Sequence, residues 1–387
     1  MKVLRTLELP AGVDVLLRRD QLAGLCDASS DQPAHLPVPD DTVSAQRLAD
    51  ALGAGEPIDD DISLVISTSG STGTPKGAQH TPATLSASAQ ATAAHLGGPG
   101  NWLLALPPHH IAGLQVLLRS LAAGFTPTVL DVGDGFDVDA FVRAVAELDG
   151  PRRYTSLVPT QLIKVLDSPA AIAASRTLDA ILVGGAATPE PLQRRAFDAG
   201  LPIVRTYGMS ETAGGCVYDG VPLPGVEIRI TDADDAGIGR VELAGPMIAR
   251  GYRHLPDHPA FATAGWFRTD DLGVIADGVL RIVGRADEAI STGGLTVVPQ
   301  AVEAVIVDDP AVAECVVVGL PDDRLGEKVV AFVVTRPGER LDAKRIQGLV
   351  GERLDRFAAP REIVELDALP LRGPGKVDRR ALRARSS

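Results

Sequence analysis

Residues 67–77 read Ser-Thr-Ser-Gly-Ser-Thr-Gly-Thr-Pro-Lys-Gly, with six hydroxyl side chains, three glycines and a single cation in eleven positions. Little of this run can pack in a core, and most of it can donate a hydrogen bond. Glycine lets the backbone approach an anion and present its N–H groups, and Ser, Thr and Lys add side-chain donors. That is the chemistry of a phosphate cradle. The run is not the common G-x-x-x-x-G-K-[ST] loop, because Lys76 follows Pro75 and precedes Gly77. A flexible Gly/Ser linker has a similar composition, so the flanks must decide. Ahead lies the apolar run DISLVI, residues 61–66, which reads as a buried strand. Behind it, Thr81-Pro82 offers an N-cap and a first-turn proline to a helix over residues 83–96. The spacing predicts strand, loop, helix.

Six further clusters could do chemistry. They are PPHHIAG at 107–113, VGGAAT at 183–188, YGMSETAGG at 207–215, GWFRTDDLG at 265–273, GRADEAISTGGLTVVPQAVE at 284–303 and GPGKVDRRAL at 373–382. Taken singly, each has a bland reading. Tyr207 reads as a core aromatic, His109 and His110 as structural imidazoles, Glu211 as a solvated charge, Asp270-Asp271 as a turn, and Lys376 as a tail lysine.

The elements that must position these clusters follow from periodicity. From 62 to about 210, short β-branched runs (NWLLALP, TPTVL, YTSLVP, AILVGG, PIVRTYG) alternate with helical patterns such as FDVDAFVRAVAEL and PEPLQRRAFDAG. That alternation predicts an α/β fold with a largely parallel sheet, whose strand-end glycine turns are ligand positions. After 220 the strands are joined by tight polar turns, which predicts an antiparallel or barrel-like β portion. Residues 27–61, acidic and proline-rich, read as a surface connection. The expected domains are 1–286, and a small α+β domain over 287–387.

Composition narrows the function. With 45% hydrophobic residues among 387, a sizeable core is available, but aromatics at 4% leave the packing to Ala, Val, Leu and Gly. A net charge of −13 argues against nucleic acid as the partner. Three scattered cysteines give neither a disulfide framework nor metal spacing, which suits a reducing cytoplasm. No secretory leader and no membrane insertion are expected, since no run of 18 apolar residues occurs.

The order of the clusters is more specific than any one of them. The phosphate loop, HH-x-x-G, GGA, YG-x-[ST]-E-T, W-[FY]-x-T-x-D, GR-x-D-x-I-x-x-GG and GK-x-DR-x-x-L together resemble the adenylate-forming superfamily across residues 62–383. Acyl- and aryl-CoA ligases, nonribosomal adenylation domains and luciferases belong to it. The resemblance implies ATP, Mg2+ and coenzyme A, and a small carboxylic acid that is first adenylated and then passed to a thiol.

It also implies roles for particular residues. Thr68, Ser69, Gly70, Ser71, Thr72, Gly73 and Lys76 would hold the β- and γ-phosphates. Gly184, Gly185 and Ala186 would line the adenine slot, with Tyr207 and Gly208 against the base and Ser210 beside Glu211, the magnesium acid. Asp271 and Arg285 would grip the ribose, and Lys376 would reach the α-phosphate during adenylation. His110 matches the histidine between the acyl pocket and the α-phosphate. Asp287 would be the hinge that swings Gly293-Gly294 toward the pantetheine arm.

Two departures from the pattern stand out. Asp270 occupies a position where glycine is usual, and it is expected to point to solvent. Only about 65 residues precede the loop, so the front subdomain is truncated. That short front and the LPPHHIAGLQ run resemble a branch acting on an aryl ketone with two carboxylates, one activated and one merely bound. The acid pocket would lie among Ile111, Ala112, Gly113, Leu114, Gln115 and Ser156. Another acyl-CoA ligase, a stand-alone enzyme loading a carrier protein, and a non-catalytic adenylate binder are the alternatives. The oligomeric state stays open between monomer and homodimer.

Overall fold

The alternating pattern between 62 and 210 builds a seven-stranded sheet in the order Val221–Pro222, Gly214–Tyr218, Ile203–Met209, Ala180–Val183, Arg153–Leu157, Asn101–Leu104, Thr128–Val129. In the computed structural model, residues 2–68, 75–372 and 376–385 are described, without the side chains of Arg372 and Lys376. Five of the seven strands, from Ile203–Met209 to Thr128–Val129, run parallel, as the βα alternation requires. The two at the far edge, Gly214–Tyr218 and Val221–Pro222, are antiparallel. Helices Val138–Glu147 and Pro159–Leu166 cover the sheet through Phe141, Val145, Leu162 and Val165, all essentially fully buried. Both faces of a parallel sheet are covered, which is why these strands read as short continuous apolar runs rather than alternating ones.

A second sheet has five strands in the order Pro57–Ile58, Lys2–Glu8, Ala34–Val38, Leu64–Thr68, Lys76–His80. Two expectations are corrected by it. Residues 27–61 are not a surface connection. They contain the interior strand Ala34–Val38, all five residues of which are buried, and the helix Thr42–Leu52, capped by the Asp41 carboxylate on Val43 and Ser44 N–H. The acidic and proline-rich flanks masked a five-residue strand too short for periodicity to reveal.

The strand Leu64–Thr68 is also not followed directly by the helix. The chain first returns as Lys76–His80, antiparallel to Leu64–Thr68, with Thr68 opposite Lys76. Gly77 is required in that return, since a Cβ there would lie 2.6 Å from Val65 Cγ1. The helix then starts as expected. Thr81 caps Pro82–His95, and a reciprocal capping box joins the Thr81 and Thr84 side chains to each other's N–H groups.

The chain divides into two compact units, Met1–Arg229 with Glu242–Arg268, and Ile230–Val241 with Thr269–Ser387. The strands Glu227–Thr231, Gly239–Ala244, Trp266–Ala276 and Val279–Arg285 follow in that order in a four-stranded sheet. The last two form a hairpin whose Asp277-Gly278 turn has both residues at positive φ, 52° and 77°.

In the second unit the long hairpin Val312–Asp322 and Gly326–Thr335 is flanked by Ile290–Thr292, Leu295–Val297 and the parallel strand Glu362–Glu365. Helices Pro299–Val307 and Ala343–Arg353 pack on it through Val302, Ile306, Ile346 and Val350. A two-stranded ribbon, Leu371–Arg372 with Lys376–Val377, precedes the last helix, Arg379–Ala384. Among the described residues no helix is long and apolar enough to cross a membrane.

Candidate active site

In the first unit the candidate residues gather around the 209–214 loop. Strand Ile203–Met209 reaches it through an irregularity at Tyr207/Gly208, and Gly208 is forced there because a Cβ would lie 2.1 Å from the Gly214 carbonyl oxygen. Met209 N–H donates to Thr212 Oγ1 at 2.9 Å, and Thr212 Oγ1 donates to Gly214 O at 2.6 Å. Ala213 takes the left-handed conformation, φ 51°, to close the turn.

Three outside groups hold the loop's backbone. His80 Nε2 lies 2.7 Å from Ser210 O, Ser88 Oγ donates to Ala213 O at 2.8 Å, and Ala249 N–H donates to Glu211 O at 2.8 Å. Because a carbonyl only accepts, His80 carries its proton on Nε2, and its Nδ1 lies 3.0 Å from Thr84 Oγ1. Complete burial pushes the His80 pKa down to about 4, so the ring is neutral.

Glu211 is 6% exposed, and its Oε1 accepts from the Tyr252 hydroxyl at 2.6 Å. The Tyr252 ring lies 5.1 Å from Lys76 Nζ, which is also 3.1 Å from His258 Nε2. Tyr252 packs edge-on against His258 and Phe261. A lysine from the hairpin, a carboxylate from the 209–214 loop and an aromatic pair thus form one cluster, although Lys76 and His258 are 182 positions apart. Ser210 Oγ donates to Ser67 O at 3.3 Å and ties this cluster to the strand before the phosphate loop. Tyr252 and His258 were missed by sequence reasoning. The segment RGYRHLPDH carries no periodicity or spacing that would single them out.

Gly184 and Gly185 turn off the end of strand Ala180–Val183, Gly185 at φ 80°, with Ala186 exposed after them and Tyr207 half-buried on the neighbouring strand. His110 is the N-cap residue of helix Ile111–Ala122, its ring 4.3 Å from that of His109. Burial pushes the His109 pKa down to about 4. Along that helix Ala112 is exposed and Ile111 half-buried, while Gly113, Leu114 and Gln115 are buried. Ser156 is buried on strand Arg153–Leu157. Ser69, Gly70, Ser71, Thr72 and Gly73 lie outside the described residues; Thr68 ends the strand before them.

In the second unit, Asp271 is buried opposite Arg285 on the hairpin, Arg285 Nη1 to Asp271 Oδ1 being 3.3 Å. Arg285 also reaches Asp287 through Nε and Nη2, 2.9 Å each. Burial opposes the guanidinium charge, but Asp287, Asp271 and Asp270 outweigh it and raise the Arg285 pKa. Asp270 is half-exposed, paired with Arg240 at 2.8 Å and 3.6 Å from Arg285 Nη2, so its extra charge is shared between two guanidinium groups rather than turned to solvent alone. Gly293 and Gly294, at φ 58° and 82°, form the turn between Ile290–Thr292 and Leu295–Val297. Lys376 sits in the ribbon opposite Arg372.

A parallel α/β sheet with a glycine turn at a strand end is the arrangement in which open α/β enzymes bind their ligands. The family model for AMP-binding enzymes matches residues 12–253, and that for the AMP-binding enzyme C-terminal domain matches residues 301–376. The chain belongs to the AMP-binding enzyme family.

It is 52% identical over 385 residues to a probable 2-succinylbenzoate–CoA ligase of Mycobacterium tuberculosis, covering 98% of this chain and 97% of that one. A 2-succinylbenzoate–CoA ligase of Lactococcus lactis is 32% identical over 340 residues, covering 84% of this chain and 71% of the relative. Among solved structures, an o-succinylbenzoate CoA synthetase of Bacillus subtilis, in complex with its acyl-adenylate intermediate, matches with a TM-score of 0.72. It is 28% identical and is matched over 90% of this chain and 74% of that one.

Proposed function

We propose that the chain activates 2-succinylbenzoate with ATP to an acyl-adenylate and then transfers the acyl group to coenzyme A, as a cytoplasmic enzyme of menaquinone biosynthesis. The observation that carries this reading is the 52% identity, over nearly the whole of both chains, to a probable 2-succinylbenzoate–CoA ligase.

The first half-reaction sets one anion against another. A substrate carboxylate oxygen bonds to the α-phosphorus of ATP as the bond to the bridging oxygen breaks and pyrophosphate leaves. Cations and oriented N–H dipoles must offset the repulsion as charge develops. Lys76 supplies one such cation, held by His258 and by the Tyr252 ring face. Lys376 is assigned the α-phosphate, and Asp271 with Arg285 the ribose hydroxyls.

Glu211 would hold Mg2+, which would supply neutralisation of phosphate charge there. The donor set fits that ion, since Mg2+ commonly takes one or two carboxylates and completes its shell with phosphate and water. Glu211 is one buried carboxylate whose orientation Tyr252 sets. In the second half-reaction the CoA thiolate attacks the acyl carbon and AMP departs. Asp287 is assigned the hinge that brings Gly293-Gly294 to the pantetheine arm.

The test is mass-spectrometric detection of products from ATP, CoA and a panel of aryl and short acyl acids. The reading predicts 2-succinylbenzoyl-CoA, AMP and pyrophosphate as the main products. Faster conversion of benzoate or a medium-chain fatty acid would leave the ligase chemistry and remove the menaquinone role. Transfer to a phosphopantetheinylated carrier in preference to CoA would replace the acceptor.

A further inference from the structure

Of the three arginines on the last helix, Arg379–Ala384, one is turned inward. Arg380 and Arg383 are exposed, whereas the Arg379 side chain is 20% exposed and meets three separate segments of the second unit. Its Nη1 donates to Val317 O at 2.6 Å. Nη1 and Nη2 pair with the two Glu303 carboxylate oxygens at 2.7 and 3.0 Å, and Nε lies 3.1 Å from Glu288 Oε2. Glu303 also accepts from Val317 N–H at 2.7 Å. Val312–Asp322 is the edge strand of its sheet, so alternate residues present N–H and C=O groups that no strand takes; Glu303 and Arg379 satisfy those of Val317. Burial opposes the guanidinium charge, but Glu303 and Glu288 outweigh it and raise the Arg379 pKa.

The two ends of this contact are functional positions. Glu288 directly follows Asp287, the proposed hinge, in the turn Ala286–Glu288. Arg379 comes three residues after Lys376, just beyond the Asp378 cap. The ribbon that carries Lys376 is itself weak, with two ladder pairs, Leu371 to Val377 and Arg372 to Lys376. A two-stranded ribbon is marginal alone, so its placement depends on how the helix after it is anchored. Leu382 is fully buried in that helix, but apolar contact is non-directional. The two parallel hydrogen bonds between Arg379 and Glu303 fix orientation as well as contact.

We propose that Arg379 is a positioning residue for adenylation: held by Glu303 and by Glu288 beside the hinge, it sets where the backbone bearing Lys376 lies. This rests on the role assigned to Lys376 above. The competing account is a structural ion pair whose loss loosens the whole domain. That would lower both half-reactions, because the same domain carries Gly293-Gly294.

The experiment uses the full-length enzyme with ATP and 2-succinylbenzoate, or the fastest acid of the panel above, and measures pyrophosphate release and CoA transfer from supplied acyl-adenylate separately. Arg379→Met should lower kcat for adenylation about ten- to a hundredfold, the cost of misplacing a reacting group, with KM for ATP and the rate of CoA transfer changed by less than about threefold. Arg379→Lys keeps the charge without the planar fork and should fall between wild type and Arg379→Met. In a Lys376→Ala background, Arg379→Met should cost adenylation less than about twofold more, since a group that acts through Lys376 has nothing left to position.

Unchanged adenylation in Arg379→Met, equal losses in both half-reactions, or the full further loss in the double variant overturns the assignment. If Arg379→Met does not fold, Glu288→Gln takes its place, and adenylation that is unchanged or falls in parallel with CoA transfer overturns it instead. A Lys376→Ala variant that adenylates at the wild-type rate overturns the role of Lys376 itself, a result separate from any effect of Arg379.

Discussion

The Tyr252 hydroxyl donates to Glu211 Oε1 at 2.6 Å, and the same phenol ring lies beneath Lys76. One side chain thus orients the proposed metal-binding carboxylate and supports the phosphate-loop lysine. Removing a group that orients a metal ligand typically costs ten- to a hundredfold in metal affinity. Tyr252→Phe keeps the ring and loses the hydrogen bond, so the half-saturating Mg2+ concentration should rise about tenfold. Glu211→Gln should raise it further. Titrations of both variants that overlay the wild type would remove Glu211 from the metal site.

Lys376→Ala should nearly abolish adenylation and spare thiolation of a supplied acyl-adenylate. Loss of a transition-state cation costs roughly a hundred- to a thousandfold in rate. Pyrophosphate release and CoA consumption, measured in separate half-reaction assays, check this, and equal losses in both would contradict the assignment.

Asp287→Pro should leave adenylation standing and lower CoA transfer, since proline fixes φ near −65° at the proposed hinge. The same substitution deletes two hydrogen bonds from Arg285, so Asp287→Ala is the necessary control. A hinge role requires the proline variant to lose far more CoA transfer than the alanine variant. Parallel losses would place the effect on Arg285 instead.

Acid should destabilise the protein through His80. Its pKa, about 4 in the folded chain against 6.5 for an ordinary imidazole, means that the unfolded state binds more protons between those limits. Stability is therefore fully present above pH 6.5 and falls as the pH drops toward 4, by about 3 kcal/mol for this one group. Thermal denaturation at pH 7 and pH 4.5 without added metal measures it. His80→Gln should be less stable at pH 7, from the lost contacts to Ser210 and Thr84, and should show a shallower dependence on pH.

Much of the candidate site was legible because its chemistry is local. A helix start needs Thr81 and Pro82 side by side, and a strand-end turn needs Gly184 and Gly185 together. The ordered motifs likewise appear along the chain in a form that no fold is needed to read. What the sequence could not show is which side chains from distant segments meet. Lys76 finds Tyr252 and His258 only because the phosphate loop returns as a strand, and that return overrode the expected direct entry into the helix. The strand Ala34–Val38 was hidden for the same reason, since five buried residues inside a sheet carry neither alternation nor length. Local composition determined what this chain can bind; long-range strand pairing and burial decided which groups would share a low-dielectric site, because pairing energy and desolvation depend on neighbours in space rather than in sequence.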